Sequence, residues 1–467
     1  MIHIIGGGLA GSEAAWQAAE LGADVTIHEM RGIRPTAVHK TDALAELVCS
    51  NSFRADKLDN AVGVLKEEMR RLGSLILRAA DACRVPAGAA LAVDRERFSA
   101  QVTAAIAGHT LIEVAREEIA SVPRARVDAP VIIATGPLTS SALSQEIAQL
   151  VGEKHLYFYD AISPIVLADT IDRTKVFRAS RWDRSLPVES APRGPACGVD
   201  DGQGDYLNCP MSESEYAAFY EALSHAESAT VHDFDKEKFF EGCLPIEVLA
   251  HRGPDTLRFG PMKPVGLVDP RTKGQPYAVV QLRQDNLAGD HYSMVGFQTQ
   301  LKWGDQARVL KLIPGLEQAE FVRFGMVHRN TYINAPKVLA ETWQVRARPD
   351  LFFAGQISGV EGYVESAASG LLAGPNAAAL ALGQPLRTPP RSTALGALAY
   401  YVSHANPANY QPTNITFGIM EPLSRAPRNK LARKTAMAER ALRDLERWKA
   451  NGVSHALTPI PRFVDAP

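Results

Sequence analysis

The chain has 467 residues, 46% hydrophobic and 22% charged, with a formal net charge of −2; this is the make-up of an ordinary globular protein, long enough for more than one unit. That charge balance excludes a polybasic nucleic-acid coat, so any nucleic-acid partner must be met by a local basic patch. The five cysteines (Cys49, Cys83, Cys197, Cys209, Cys243) are widely spaced with no CxxC or Cys/His pair, which argues against a disulfide framework and a metal site and for reduced thiols in the cytoplasm.

The first stretch, IHII at residues 2–5, reads as a buried strand and runs into Gly6-Gly7-Gly8-Leu9-Ala10-Gly11. A helix-forming SEAAWQAAELG follows, then a second strand, ADVTIHEM, that ends near Glu29, eighteen residues after Gly11. Strand, glycine turn, helix, strand and terminal acid form the dinucleotide-binding βαβ pattern. The glycines let backbone approach a pyrophosphate, the helix N-terminus offers it free N–H groups, and Glu29 is placed for a ribose diol. MIHII carries no basic leader pattern, and no apolar run is long enough to cross a bilayer.

Residues 60–82 read as helical, with Leu65, Met69, Leu72 and Leu75/Ile76 on one face. LAVDRERFSAQVTAAI reads as a strand end and a helix, and VIIATGPLTS (131–140) as an apolar strand whose Thr135-Gly136 returns to the cofactor. From about 155 to 320 the segments shorten, with Pro and Gly between β-forming runs such as YAVVQLRQD and HYSMVGFQT. LFFAGQISGVEGYVESAASGLLAG (351–374) restores strand, glycine turn and small-residue helix. Gly355, Gln356 and Gly362 of this turn are expected at the cofactor.

The fold class is therefore α/β, a Rossmann-like FAD-binding domain with an inserted smaller α+β domain. The expected divisions are 1–155 and 321–467 for the two parts of the FAD-binding domain and 156–320 for the insertion. Either FAD or NAD suits the first turn. The split domain, the ATG strand and the glycine-rich C-terminal turn favour FAD, whose reduced ring would be stabilised by a helix N-terminus. No second GxGxxG stands in a βαβ setting, so any nicotinamide would dock directly on the flavin. A vestigial nucleotide fold serving as a scaffold is the alternative.

Two thiols have chemically suggestive surroundings. Cys49 lies in AELVCSNSFRAD, where Ser50, Asn51, Ser52 and Arg54 are neighbours able to stabilise a thiolate. Cys243 lies in FFEGCLPIEVLAHRG, on a Gly/Pro-shaped turn before Glu247, His251 and Arg252. For each alone, an inert packed thiol is the commoner assignment, and Cys83, Cys197 and Cys209 are read so outright. Arg258, Lys263, Lys302, His328, Arg329 and Asn330 are candidate ligands for anions and polar heterocycles, with solvated or capping roles as the alternative. Arg425 to Lys449 holds nine basic and three acidic residues, a local net of +6, in a helical pattern.

ELVCSNSFR, DYLNCPM, FEGCLPIEVLAHRG, LRFGPMKPVGL, VGFQTQLKWGDQ, GMVHRNTYINAP and FFAGQISGVEGYVESAASGLLAG, in this order, resemble the folate- and FAD-dependent tRNA (uracil-5-)-methyltransferases. The resemblance runs from the first strand to about residue 380 and, more loosely, into the basic helix. It implies that methylenetetrahydrofolate supplies a carbon to C5 of the T-loop uridine of tRNA, giving ribothymidine. It further implies reduced FAD as electron source, recharged by NADPH or NADH, and catalytic roles for Cys49 and Cys243. Thiolate addition at C6 would make C5 nucleophilic, with Cys243 as the attacking thiol and Cys49 assisting, roles that are exchangeable at this point. The base must leave its stack, and the basic helix with Lys57, Lys66, Arg70 and Arg71 is expected to meet phosphates. No metal and no protein partner are inferred. Competing readings are the longer flavoprotein that modifies wobble uridine, a flavin oxidoreductase acting on a small molecule, and a non-enzymatic nucleotide- or tRNA-binding module.

Overall fold

The computed structural model describes residues 1–36, 38–124, 126–152, 156–161, 163–184, 204–228, 244–325 and 327–451, with backbone alone for 156–161 and 327–330. Cys197 and Cys243 fall outside these residues.

The apolar runs at 2–5 and 131–133 form the middle of a six-stranded sheet. Its order is Gln344–Val345, Arg348–Phe353, Val131–Ile133, Ile2–Ile5, Val25–Glu29, Ile112–Arg116. All neighbours are parallel except at the Gln344–Val345 edge, and His3 stands opposite both Thr26 and Val131. Strands buried on both faces must be apolar throughout, which is why these runs do not alternate. The chain leaves Ile2–Ile5 toward one neighbour and the sheet extends past it on the other side. This reversal opens a crevice at the carboxyl ends of the strands, where α/β sheets take their ligands.

The helix Leu9–Glu20 covers this sheet and packs against the long helix Tyr363–Ala381. Small residues bring the two backbones nearly into contact. A Cβ on Gly370 would lie 2.1 Å from the carbonyl oxygen of Ala10, and one on Gly374 2.3 Å from that of Ala14. One apolar core accordingly contains both Ile2 to Ile147 and Tyr332 to Leu445, so the first and last parts of the chain fold together.

The 60–82 segment differs from the single helix expected. It forms Ala61–Arg71 and Leu75–Ala82, broken where Gly73 takes φ +75° and Ser74 caps the amide of Leu77. Buried carboxylates secure the helix starts nearby. Glu13 accepts from Ser74 Oγ (2.7 Å) and the amide of Ile76 (2.9 Å), and Glu68 from the amides of Ala394 and Leu395, both at 2.8 Å.

A second core holds Val166, Phe219, Tyr292 and Phe297 under a six-stranded antiparallel sheet. Its order is Phe177–Ala179, Tyr206–Met211, Ala278–Gln284, His291–Met294, Ile165–Leu167, Phe321–Arg323. The chain enters and leaves this unit along an antiparallel ribbon, Leu156–Ala161 paired with Val327–Tyr332. The basic segment is helical from Lys430 to Ala450, capped by Asn429, with Met437, Ala438, Ala441 and Leu445 turned inward.

Candidate active site

The glycine turn is shaped by close approach. A Cβ on Gly11 would sit 1.9 Å from the carbonyl oxygen of Gly6, and one on Gly6 would sit 2.6 Å from that of Ala134. Only glycine at both positions lets the helix start against the strand ends. Gly8 differs: a Cβ there would meet nothing within 4 Å, and no side chain caps the helix that follows. The open space and the uncapped helix start suit a phosphate group.

A crevice at this turn is lined by Gly6, Gly8, Leu9, Ala10, Glu29, Thr135, Gly136, Gly355 and Gln356, all expected from sequence, together with Arg31, Val48 and Tyr363. Three other expected residues serve its walls. Gly7 donates its amide to Glu29 Oε2 at 2.7 Å, Gly11 packs inward, and Gly362 precedes the helix Tyr363–Ala381 beside Glu365 and Arg54. Glu29 is nearly saturated as an acceptor, taking the amide and Nε of Arg31 on Oε1 and Arg31 Nη2 and Gly7 on Oε2. Burial alone would raise its carboxyl, but the hydrogen bonds and charge of Arg31 hold it below the usual carboxylate range. A ribose diol reaching this carboxylate would share it with the guanidinium. The backbone cradle and acid thus fit an adenine dinucleotide cofactor.

Cys49 follows Val48 of this lining and is tied to Tyr363, another lining residue. The amides of Cys49 and Ser50 both donate to the Tyr363 hydroxyl oxygen, at 2.8 and 3.1 Å. Burial first, and then the charge of Cys49, push the Tyr363 phenol up from its ordinary value. The opposite side of the loop is held by the second unit. Arg283 Nε donates to Asn51 Oδ1 (2.8 Å) and Nη2 to Ser50 Oγ (3.2 Å); Arg323 donates to the carbonyls of Val48 (3.2 Å) and Cys49 (3.0 Å). Arg95 reaches the Leu47 carbonyl at 3.2 Å and pairs with Asp285 at 2.9 Å. The fully buried Asn51 donates to the carbonyls of Val93 and Gln284, both at 3.0 Å. Burial, with the like charge of Arg95, brings Arg323 down to about 10.

Arg54, the cation nearest Cys49 in sequence, is engaged elsewhere. It adopts φ +61° and pairs with the buried Glu365. Tyr363, Arg95, Asp285, Arg283 and Arg323 escaped the sequence reading. Of these, Tyr363 alone had a signal, its place directly after Gly362 in the second glycine turn.

The remaining candidates are placed as follows. Cys83 and Cys209 are fully buried, and burial pushes the Cys83 thiol up to about 12, as inert packing requires. Arg258 stacks on the Tyr277 ring at 3.7 Å and pairs with Asp255, and Lys302 pairs with Glu227. Lys263 lies 5.7 Å over Trp182. The side chains of His328, Arg329 and Asn330 are outside the description, as is Cys243. Lys66 and Arg70 are not available to phosphates. Lys66 is fully buried, donating to the carbonyls of Phe53, Arg54 and Ala55, and Arg70 is held by Asp56 and Asp81. Arg71 pairs with Glu67 and Glu446. Among the described residues no group of three or more His, Cys, Asp or Glu side chains could hold a metal, and no helix is long and apolar enough to cross a membrane.

The fold and site define a Rossmann-like, dinucleotide-binding α/β protein with a cysteine-bearing loop tied to the wall of its cofactor crevice. Comparison with known proteins agrees. Residues 1–385 match the family described as "Glucose inhibited division protein A". The GidA of Aquifex aeolicus superposes with a TM-score of 0.70 over 97% of this chain and 74% of that chain, at 17% identity, a likeness of fold. A protein of Desulforudis audaxviator is 57% identical over 96% of this chain and 98% of its own length. One of Heliobacterium modesticaldum is 56% identical over 97% of this chain and 98% of its own. Both are named methylenetetrahydrofolate–tRNA-(uracil-5-)-methyltransferase TrmFO. The chain belongs to the methylenetetrahydrofolate–tRNA-(uracil-5-)-methyltransferase family.

Proposed function

We propose that this protein transfers the one-carbon unit of methylenetetrahydrofolate to C5 of the T-loop uridine of tRNA, with FAD as cofactor and NADPH or NADH as the reductant. The cytoplasm is the compartment that suits this chemistry. The observation that carries the reading is the position of Cys49, whose loop is tied to Tyr363 at the cofactor crevice.

The cofactor would be held by the Gly6–Gly11 turn, Glu29 with Arg31, Thr135-Gly136 and Gly355-Gln356. Bound flavin supplies the two electrons that take the transferred carbon from the methylene to the methyl level. The protein's own task is to make uracil nucleophilic. Its ring is electron-poor, and addition of a thiolate to C6 turns C5 into an enolate carbon able to attack an electrophilic methylene. Loss of the C5 proton with expulsion of the methylene's carrier amine leaves an exocyclic methylene. Addition of a hydride equivalent to that carbon, with expulsion of the sulfur, then gives the methyl group and restores the C5–C6 double bond. We assign the C6 attack to Cys243 and an assisting role to Cys49, as acid/base or second thiol. The exposed cations at the start of the basic helix, Arg428, Lys430 and Arg433, would meet tRNA phosphates.

The test is incubation of flavin-loaded protein with unmodified tRNA, labelled methylenetetrahydrofolate and NADPH or NADH under anaerobic conditions. Label is expected in ribothymidine, and its absence would refute the reading. For the two thiols, Cys243→Ala should abolish the denaturation-resistant adduct with tRNA carrying 5-fluorouracil. An adduct that survives Cys243→Ala and is lost in Cys49→Ala would reverse the assignment.

A further inference from the structure

We propose that Arg95, Arg283 and Arg323 are positioning residues that act through Cys49, holding its sulfur as the thiolate. This rests on the reading of Cys49 as a working thiol of the methyl-transfer site.

The three guanidiniums come from three elements: the first residue of the helix Arg95–Ala107, the strand Ala278–Gln284 and the end of the strand Phe321–Arg323. Each bonds the Leu47–Asn51 loop on a different residue. Arg283 is 7% exposed and the Arg95 side chain 13% exposed. The charged or titratable groups interacting with this cluster from the elements around it are Asp285, the phenols of Tyr363 and Tyr206, and Cys49 itself. Both phenols are pushed up from their ordinary value and stay neutral. Among these groups the one carboxylate is Asp285, which pairs with Arg95. Among the described residues named by these interactions, three positive charges therefore face one carboxylate, and the buried Nε of Arg323 has no partner there.

Tethering carbonyls requires N–H donors but not charge, and burying unbalanced charge is costly. The cluster is explained when the loop it holds carries an anion, and Cys49 is the loop's ionisable group. Ionisation sends the thiol proton to solvent and leaves the charge on sulfur. A nearby cation lowers a thiol's pKa through the same interaction that it gains with the thiolate.

The experiment is brief carbamidomethylation of the full-length, flavin-loaded protein by iodoacetamide across a pH series, followed at the Cys49 peptide by mass spectrometry. The S–C bond forms as iodide leaves, at a rate set by the thiolate fraction. The wild-type midpoint is expected at least about one unit below the ~8.5 of an ordinary thiol. Arg323→Met should raise it by about one unit and Arg323→Lys should restore most of the shift. Asp285→Asn removes the opposing charge and should move the midpoint further down. This opposite sign separates electrostatics from damage to the loop, and it stands even if Arg323→Met does not fold. An ordinary wild-type midpoint overturns the proposal, as does an equal shift in the Met and Lys variants or a rise in Asp285→Asn. Neither tRNA nor folate takes part, so a low midpoint without methyl transfer would count against the proposed function and leave this inference standing.

Discussion

The hydroxyl oxygen of Tyr363 accepts two consecutive amides, those of Cys49 and Ser50, joining a loop of the first part of the chain to the start of the long C-terminal helix. Tyr363→Phe keeps the ring and removes the acceptor, orphaning both amides. A loss of about 1–3 kcal/mol for the buried groups is expected, read by denaturant unfolding. A larger fall in methyl transfer than in flavin content should accompany it. Unchanged activity would show that the tether does not set the position of the thiol.

The glycines of the two packed helices should divide by role. Gly370→Ala places a carbon 2.1 Å from the Ala10 carbonyl oxygen and must force the helices apart, costing about 1–3 kcal/mol as overpacking does elsewhere. Gly8→Ala faces open space, so it should melt like wild type yet retain less flavin. Thermal melting and the flavin absorbance of the purified proteins distinguish the two. A Gly8→Ala protein with full flavin content would contradict the phosphate assignment.

Lys66 gives a pH signature. Burial, partly offset by Asp56, brings its amine down from 10.5 to about 8. Its folded value lies below its unfolded value, so the folded state binds the proton less well. Folding therefore carries a penalty of about 3 kcal/mol below pH 8, relieved as the pH climbs toward 10.5. Against Lys66→Met, which has no such titration, wild-type stability should improve steadily across that interval. Equilibrium unfolding at several pH values measures the difference, and a flat difference would rule the effect out.

The basic helix should act through salt-dependent binding to phosphates. Charge reversal at Arg428 and Arg433, both exposed, is expected to weaken tRNA binding. It should also reduce the slope of log affinity against log salt by about one for each phosphate that the helix no longer neutralises. Filter binding at several salt concentrations reads the slope. An unaltered slope would remove the helix from the tRNA surface.

The nucleotide crevice was legible because its information is local. A turn, a helix start and an acid one strand later fix their own spacing, and nine of the expected residues line one crevice. The break at Gly73-Ser74 was local as well, but it was hidden by an apolar face that runs across it. The surroundings of Cys49 could not be read in this way. Sequence proximity nominated Arg54, whereas the neighbouring charge arrives from Arg323, 274 residues distant. Lys66 shows the same limit from the other side: a cation on a helix face looks solvated until the carbonyls of Phe53, Arg54 and Ala55 close around it. Charge type is written in the chain, but its partner is decided by the packing of two units.

Asn51 gives that packing a further consequence. Its carboxamide holds a carbonyl from each unit, Val93 on one side and Gln284 on the other, two residues from the thiol. The sulfur is thus located by the joint between the units, much as a keystone takes its height from both springers. A change deep in the second core, remote from any nucleotide, would then alter the reach of Cys49 while cofactor affinity stayed the same.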